Sequence, residues 1–332
     1  MNGGATTTYT YAGSSHRLSS LSGATSRSFT YDAAGNLTAS AGVTYTYDGR
    51  GRMKQAGSAT YLVNGLGQRV RKTAGAQTHF AYDEAGRLLG EYDSTGAAIQ
   101  EYVWLGDLPV AVVRPASPGG FTAYYVWADH LGTPRVVSDA ANVVRWEWAN
   151  ANPFGAHAPD DNPSGAGAFA FNLRFPGQYF DQETGLHYNY FRDYDPATGR
   201  YVQSDPIGLL GGNNTYSYVD SSPLDWSDPE GLAKGDGKSK LCSRLRGVVV
   251  INCKLADRSC QDCDDCSTLT VKMVTKRSCF LSQRLLTRFC YAKDPSHGQR
   301  LDDMENGIKK CISIGASKGC NFGDLGDLSS LR

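Results

Sequence analysis

The chain has 332 residues with 33 lysine and arginine residues against 33 aspartate and glutamate residues, so its formal net charge is zero. This balance conceals two parts of opposite charge, because residues 233–332 contain 18 basic and 11 acidic residues and residues 1–232 contain 15 and 22. We therefore expect the two parts to have different partners. No apolar run approaches the roughly 20 residues of a membrane span. The first residues lack a basic stretch followed by an apolar one, so we expect export without a signal peptide.

Residues 1–100 contain an internal repeat of the form aromatic-x-Tyr-Asp-x-x-Gly-Arg/Asn-Leu. The units begin at Tyr9, Phe29, Tyr45, Tyr61 and Phe80. An alternating aromatic strand, a turn that starts at aspartate and closes at glycine, and a second strand predict one β-hairpin per unit. Because one hairpin cannot bury its own apolar face, we expect the hairpins to stack into a continuous sheet.

Longer alternating runs at 102–104 and 143–148 predict that strands continue to residue 150, and the polar, glycine-rich run 155–168 predicts a loop. Residues 192–232 then combine short aromatic runs with three Asp-Pro pairs. Each such pair joins a turn-forming carboxylate to a proline whose φ angle is fixed, so this region predicts short strands between tight turns.

The tyrosine–aspartate units resemble YD repeats, and the motifs that follow them resemble the core associated with RHS repeats. These motifs are Asp129–Arg135, Asn152–Gly155, Arg174–Tyr179, Asp195–Arg200 and Asp205–Leu209. The family consists of bacterial polymorphic toxins and the related C components of toxin complexes. The resemblance implies a β-cocoon that encloses a variable C-terminal toxin, and a cognate immunity protein. With about five repeats, we expect the chain to be the C-terminal piece of a longer protein or a short orphan unit.

We therefore predict a mainly β fold in three segments. Residues 1–150 are the YD/RHS repeats, residues 151–232 are the RHS-associated core with a self-cleavage motif, and residues 233–332 are a small cysteine-rich domain, α+β or mainly α. The resemblance implies intramolecular aspartic proteolysis between Leu232 and Ala233, at the end of the motif Pro-x4-Asp-Pro-x-Gly-Leu.

Asp205 and Asp228 are the candidate carboxylates for this cleavage, with Asp195 and Asp220 as alternatives. Two carboxylates held together in a partly dry site cannot both ionise, so one can activate water while the other donates a proton. Arg200 is a candidate for orienting one of them. The alternative interpretation is purely structural, because Asp-Pro-x-Gly sequences are typical of tight turns in which aspartate caps its own backbone.

All nine cysteines lie in residues 233–332. Cys260, Cys263 and Cys266 have the C-x2-C-x2-C spacing that can hold zinc, although neighbouring aspartates and the lack of a second pair disfavour this interpretation. Disulfides, which stabilise small exported domains, are the alternative that we favour, and ordinary reduced cysteines are the third. Apart from zinc, the sequence indicates no cofactor.

Residues 247–251 and 268–274 predict short strands in the last segment, and residues 279–293 and 300–310 predict helices. His297 falls in the turn between these helices, close to Arg300. One interpretation is acid–base cleavage of a phosphodiester, with Arg300 stabilising charge. The other is a surface histidine. The basic charge suits a nucleic-acid substrate, and equally suits solubility or an acidic cocoon.

The sequence thus predicts part of an RHS-family toxin that releases an effector after Leu232. We favour a nuclease that acts in a competing bacterium. The alternative is a non-enzymatic YD-repeat adhesin or structural protein whose last segment is a disulfide-stapled binding module.

Overall fold

The computed structural model describes residues 6–149, 151–234, 253, 259–262, 264–290 and 295–322. The chain divides into two compact units, Met1–Gly237 and Lys238–Arg332. The repeats and the segment 151–232 therefore belong to one unit, and the cysteine-rich residues belong to the other.

The first unit is built on one antiparallel sheet of 15 strands that pair in chain order. The strands are β1 (Thr7–Tyr11), β2 (Leu18–Gly23), β3 (Arg27–Tyr31), β4 (Leu37–Ser40), β5 (Val43–Tyr47), β6 (Met53–Ala56), β7 (Ala59–Val63), β8 (Arg69–Ala74), β9 (Ala76–Tyr82), β10 (Leu88–Tyr92), β11 (Ala98–Leu105), β12 (Leu108–Pro115), β13 (Phe121–Ala128), β14 (Pro134–Ser138) and β15 (Val144–Glu147). The mainly β fold with one hairpin per repeat is confirmed.

An aspartate, or Asn64 in one unit, organises the turn that joins the two strands of the repeats from residue 29 onwards. The Asp83 carboxylate accepts hydrogen bonds from the Ala85 amide at 2.8 Å and the Arg87 amide at 2.9 Å. Gly86, between them, has a φ of +87°, which glycine adopts without strain. The same pair of hydrogen bonds occurs at Asp48, Asn64, Asp93, Asp129 and Asp139. The turn chemistry of the repeats thus extends well beyond residue 100.

One face of the sheet forms the core. The first aromatic residue of four repeat units is almost inaccessible, with exposed fractions of 8, 4, 7 and 6% at Phe29, Tyr45, Tyr61 and Phe80. Residues of the opposite face are open to solvent, as Val103, Tyr125 and Trp127 illustrate. The period-2 pattern of the strands produces this difference, because alternate side chains point to opposite faces.

A second sheet, of four strands, packs against the buried face of the large sheet. Its strands are β16 (Tyr179–Asp181), β17 (Leu186–Asn189), β18 (Arg192–Asp195) and β19 (Arg200–Tyr201), and short 3-10 turns follow at Gly208–Leu210 and Val219–Ser221. Tyr188, Tyr194 and Tyr201 of this sheet lie in the same hydrophobic cluster as Phe80 and Tyr102 of the large sheet.

Arg69 joins the two sheets through a buried ion-pair network. Its guanidinium contacts the carboxylates of Asp181 at 2.5 Å and Asp193 at 3.2 Å. The rings of Tyr61 and Tyr188 both lie 4.1 Å from the guanidinium carbon. Burial raises the pKa of Asp193, and the charge of Arg69 opposes that shift. The arginine therefore pairs with two buried carboxylates of the small sheet and partly offsets the cost of burying Asp193.

The second unit contains two helices, α1 (Cys266–Cys290) and α2 (Pro295–Ser317). Leu269 and Met273, one turn apart on α1, are fully buried together with Ile308 of α2. Asp265 caps α1, since its carboxylate accepts a hydrogen bond from the Thr268 amide at 2.7 Å. Among the described residues, no helix combines the length and the apolarity needed to cross a bilayer.

Three disulfides link the described cysteines: Cys253–Cys279, Cys260–Cys311 and Cys266–Cys320. The disulfide prediction is confirmed for these six residues. The zinc alternative, which the sequence already disfavoured, does not fit Cys260 and Cys266 in this form, because a disulfide sulfur is not a thiolate ligand. Cys263 lies outside the described residues, and within them no cluster of metal-binding side chains occurs.

Two predictions for the second unit are wrong. Residues 268–274 are helical, because Leu269 and Met273 also satisfy the spacing of a helix and Asp265 supplies its cap. His297 lies in the first turn of α2 and not in a connecting turn, since the helix already begins at Pro295, a position that suits proline's fixed φ. The predicted strand at 247–251 lies outside the described residues.

We expect Arg69→Met to lower the free energy of unfolding by about 3–5 kcal/mol, because it removes the described ion pair of buried Asp193 and leaves Asp181 paired with Lys72 alone. Urea unfolding followed by tryptophan fluorescence measures the change. Lys54→Met, on an exposed position of β6, is the matched control and should stay within roughly 0.5 kcal/mol of the parent. An Arg69→Met protein as stable as the control would show that the network does not join the sheets.

Candidate active site

The last described segment of the first unit, residues 228–234, is fixed against the turn between β17 and β18. The Phe191 amide donates a hydrogen bond to the Glu230 carbonyl at 3.1 Å, and the Asn189 side-chain amide donates to the Asp228 carbonyl at 2.9 Å. Leu232 is 1% exposed and Ala233 is 6% exposed. The peptide bond between these two residues is therefore buried and held in place.

Glycine makes this close approach possible. Gly231 has a φ of +67°, and a Cβ atom on it would stand 2.4 Å from the Asn189 carbonyl oxygen. A Cβ on Gly177 would stand 1.9 Å from the Pro229 carbonyl oxygen. Real Cβ atoms are never found at such distances, so both positions require glycine while the segment stays docked.

Asp228 lies at the centre of the segment and accepts four hydrogen bonds. Its Oδ1 atom accepts from the Leu232 amide at 2.9 Å and from the Ala233 amide at 3.0 Å. Its Oδ2 atom accepts from the Tyr201 hydroxyl at 2.8 Å and from the Arg192 guanidinium at 3.3 Å. Hydrogen-bond donors therefore surround both carboxylate oxygens.

Asp205 faces the same site from the loop after β19. Its Oδ2 atom lies 3.0 Å from Nη2 of Arg192, and its Oδ1 atom accepts a hydrogen bond from the Ile207 amide at 2.9 Å. Burial raises the pKa of Asp205 to about 7, and the nearby charge of Asp228 adds to the rise, while Arg192 and the Ile207 amide oppose it. Burial therefore favours the protonated form of Asp205 far more than that of an exposed aspartate.

Arg192 joins the two carboxylates. Its Nη2 atom contacts both of them, and its Nε atom donates to the Gly231 carbonyl at 2.5 Å. The Tyr201 ring centroid lies 3.6 Å from the guanidinium carbon, and the arginine side chain is 2% exposed. One buried cation thus positions both acids and the backbone of the segment.

Gly211 leaves room for the remaining atoms of the site. A Cβ on Gly211 would stand 2.3 Å from Oδ2 of Asp205 and 2.5 Å from the Leu232 carbonyl oxygen. The acid and this carbonyl therefore face the same point. Its φ of −75° and ψ of −24° are open to any residue, so only the available space requires glycine here. The site borders a small polar pocket whose lining includes Arg192, Asp205, Asp228 and Leu232.

The structure brings Asp205 and Asp228 together on Arg192, places Asp195 elsewhere and leaves Asp220 at the edge of the same pocket. Asp195 caps its own turn through the Ala197 amide and pairs with Arg27 at 2.7 Å. Asp220 is exposed. Both Asp205 and Asp228 also cap turns, so the structural interpretation of the Asp-Pro pairs is correct as well, and a turn position does not prevent them from meeting.

The arginine of this site is Arg192 and not Arg200. The Arg200 guanidinium donates to the His16 carbonyl at 2.5 Å and lies near the ring of Tyr11. The sequence contains no signal that distinguishes Arg192, because its role depends on β18 running beside the segment that ends at Leu232. Tyr201 and Gly211 were missed for the same reason.

The two residues that were predicted to act in the last segment are His297 and Arg300. Arg300 lies on α2 and is exposed, whereas the side chain of His297 is outside the described part. Their role in catalysis stays a prediction.

The family model described as Teneurin YD-shell matches residues 1–102 and 106–216. Double-stranded DNA deaminase toxin A of Burkholderia cenocepacia is 36% identical over 162 residues, which are 44% of this chain and 11% of that protein. Toxin protein Tse5 of Pseudomonas aeruginosa is 44% identical over 104 residues, 31% of this chain and 7% of that protein. Probable deoxyribonuclease RhsA of Dickeya dadantii is 32% identical over 179 residues, 47% and 12% of the two chains. The chain thus spans a small part of each relative.

Solved structures share the fold. The crystal structure of TcdB2-TccC3 superimposes with a TM-score of 0.51 and 20% identity, over 68% of this chain and 14% of that one. The crystal structure of TcdB2-TccC3-TEV gives a TM-score of 0.50 at the same identity, over 68% and 13% of the two chains.

Proposed function

The chain belongs to the Teneurin YD-shell family, and we propose that it is part of a polymorphic toxin that cleaves its own backbone between Leu232 and Ala233. The observation that carries the proposal is the double contact of Asp228. One carboxylate oxygen accepts hydrogen bonds from the amides of both residues that the cleaved bond would join. Asp205, with a pKa of about 7, faces the Leu232 carbonyl from the other side.

In the proposed reaction, Asp205 is the acid and Asp228 is the base. Protonated Asp205 donates its proton to the Leu232 carbonyl oxygen while a water molecule attacks the carbonyl carbon. Asp228 takes one proton from that water. The two carboxylates can divide these roles because their surroundings differ. Asp228 faces mainly hydrogen-bond donors, whereas burial raises the pKa of Asp205.

Collapse of the tetrahedral intermediate breaks the bond between the Leu232 carbon and the Ala233 nitrogen. Asp228, whose Oδ1 atom already lies 3.0 Å from that nitrogen, gives its proton to the leaving amine. The intermediate returns the carbonyl proton to Asp205. One water is consumed, and the products are a carboxyl group at Leu232 and an amine at Ala233.

Arg192 supports both stages. It contacts both carboxyl groups at one buried site and donates to the Gly231 carbonyl, so it holds the acids and the segment that contains the scissile bond together. Because the bond belongs to the same chain, folding supplies the proximity that a separate substrate would have to gain by binding.

We further propose that the fragment beginning at Ala233 is an effector that acts on nucleic acid in a competing bacterium. Its 18 basic against 11 acidic residues favour attraction to phosphate. Two relatives carry the names double-stranded DNA deaminase toxin and probable deoxyribonuclease. Enclosure of the effector by the repeats, delivery to the target cell and a cognate immunity protein complete the proposal. An adhesin with a stapled binding module would release no fragment.

We expect intact-mass analysis of the purified chain to show a fragment that begins at Ala233. Asp228→Asn should abolish the fragment, because an amide can neither take the proton from water nor pass it to the amine. Asp225→Asn, at an exposed position three residues earlier, is the matched control and should cleave normally.

Cleavage of the Asp228→Asn chain at the same bond would show that Asp228 is structural. The released fragment of the parent, incubated with DNA and with RNA, then tests the effector proposal separately.

The cleavage rate should fall as pH rises through 7. Asp205 must carry a proton to donate it, and with a pKa of about 7 it loses that proton above neutrality. Well above 7 we expect the rate to fall roughly tenfold per pH unit. Cell-free synthesis of the chain, chased in buffers from mildly acidic to alkaline pH, measures the rate on gels. A rate that rises through this range would contradict the assignment of Asp205 as the acid.

Gly211→Ala should block cleavage, and Gly49→Ala should preserve it. A methyl group on Gly211 would occupy the point that Asp205 and the Leu232 carbonyl share, whereas one on Gly49 would meet no other atom within 4 Å. The same cell-free assay compares the two variants, with melting temperatures as a check on folding. Equal cleavage by both would show that proton transfer does not use this space.

A further inference from the structure

Lys234, the second residue after the proposed cleavage point, is held by an ion pair. Its Nζ atom lies 2.5 Å from Oδ2 of Asp220. The same Nζ atom lies 5.8 Å from the ring centroid of Trp226. The contacts of Arg192 and Asp228 hold the chain as far as Ala233. The ion pair with Asp220 thus holds the chain at Lys234, one residue beyond Ala233.

The position of the Asp220 carboxylate is set by an unusual backbone. Val219, Asp220 and Ser221 have φ angles of +43°, +52° and +63°. Left-handed conformations are unfavourable for residues with a Cβ atom, and three in succession persist only where the surroundings enforce them. An observed strain of this kind justifies a search for the function that it serves.

The enforcing contacts are visible on both sides of the turn. Val219 is 3% exposed and belongs to the main hydrophobic cluster, so it anchors the turn in the core. The Ser221 amide donates to the Tyr218 carbonyl at 2.9 Å, and the Ser222 amide donates to the Val219 carbonyl at 3.1 Å. Buried packing and backbone hydrogen bonds thus hold Asp220 where it meets Lys234.

We propose that Asp220 is a positioning residue for self-cleavage and that it selects a cation at position 234. This inference rests on the proposed function and deepens it by naming a sequence requirement on the departing side of the bond. Fixing residue 234 keeps the Ala233 amide on Asp228 and the Leu232 carbonyl beside Asp205. Small displacements of reacting groups lower rates strongly, so an anchor on each side of the bond is useful.

The partial exposure of the pair makes the clamp sensitive to salt. The side chains of Lys234 and Asp220 are 32% and 44% exposed, so dissolved ions screen their attraction. Arg192 and Asp228 are 2% exposed and are screened much less. The ionic strength of the medium therefore acts on the clamp while it leaves the two acids in place.

The test is the cleavage rate of the full chain, made by cell-free synthesis, in four variants. Asp220→Asn removes the charge and retains a residue that tolerates a left-handed backbone. We expect Asp220→Asn and Lys234→Met each to slow cleavage roughly two- to fivefold, the effect of one exposed ion pair. The double variant should be no slower than either single one, because both remove the same interaction. Lys234→Arg, which keeps a cation at this position, should cleave at the parent rate.

The dependence of the cleavage rate on salt concentration distinguishes the ion pair from a merely structural role of Asp220. The parent rate should fall towards that of Asp220→Asn as sodium chloride rises to about 1 M, where screening is nearly complete. The rate of Asp220→Asn should stay constant over the same range. Equal rates in the parent and all four variants, or additive losses in the double variant, would overturn the clamp while self-cleavage stands. An uncut parent chain would overturn the proposed function and the clamp with it.

Discussion

The first unit depends on the placement of Arg192 between two buried carboxylates. Without this cation, Asp205 and Asp228 would be two desolvated negative charges at one site, which is unfavourable by several kcal/mol. With it, they stay together in one site, and the same guanidinium fixes the Gly231 carbonyl. The arrangement leaves the carboxylates unequal. Burial raises the pKa of one, and four donors saturate the other.

The same unit contains a second arginine, Arg69, between two acids. Comparing it with Arg192 distinguishes a structural cluster from a candidate catalytic one. Arg69 pairs with Asp181 and Asp193 and stacks between two tyrosines, so its surroundings consist of side chains that join the two sheets. Around Arg192, one of the acids instead accepts hydrogen bonds from the backbone amides of Leu232 and Ala233, the two residues on either side of one peptide bond. A buried Asp–Arg–Asp cluster is therefore not by itself a sign of catalysis. The peptide bond beside it is what favours a reaction.

The sequence predicted those parts of the fold that depend on residues close together in the chain. The Asp-x-x-Gly turns and the alternating aromatic strands identify the hairpins, because both depend on residues a few positions apart. Residues 268–274 were assigned wrongly because a short alternating run also fits a helix, and the capping role of Asp265 was overlooked. Arg192 could not be recognised, since it acts 36 positions before Asp228 through a sheet register that no single sequence displays. Asp205 and Asp228 were candidates because their Asp-Pro-x-Gly-Leu motifs match those of the family that the sequence resembles, and in the structure both contact Arg192.

The most direct test of cleavage by water at this bond is the fate of the water oxygen. The chain is synthesised in water enriched in oxygen-18, and the C-terminal peptide of the larger fragment is analysed by mass spectrometry. The mechanism predicts one heavy oxygen in the carboxyl group of Leu232 and none in Asp205 or Asp228. A heavy oxygen in either aspartate would indicate attack by a carboxylate instead of water. A fragment that ends at any other residue would contradict the proposed site itself.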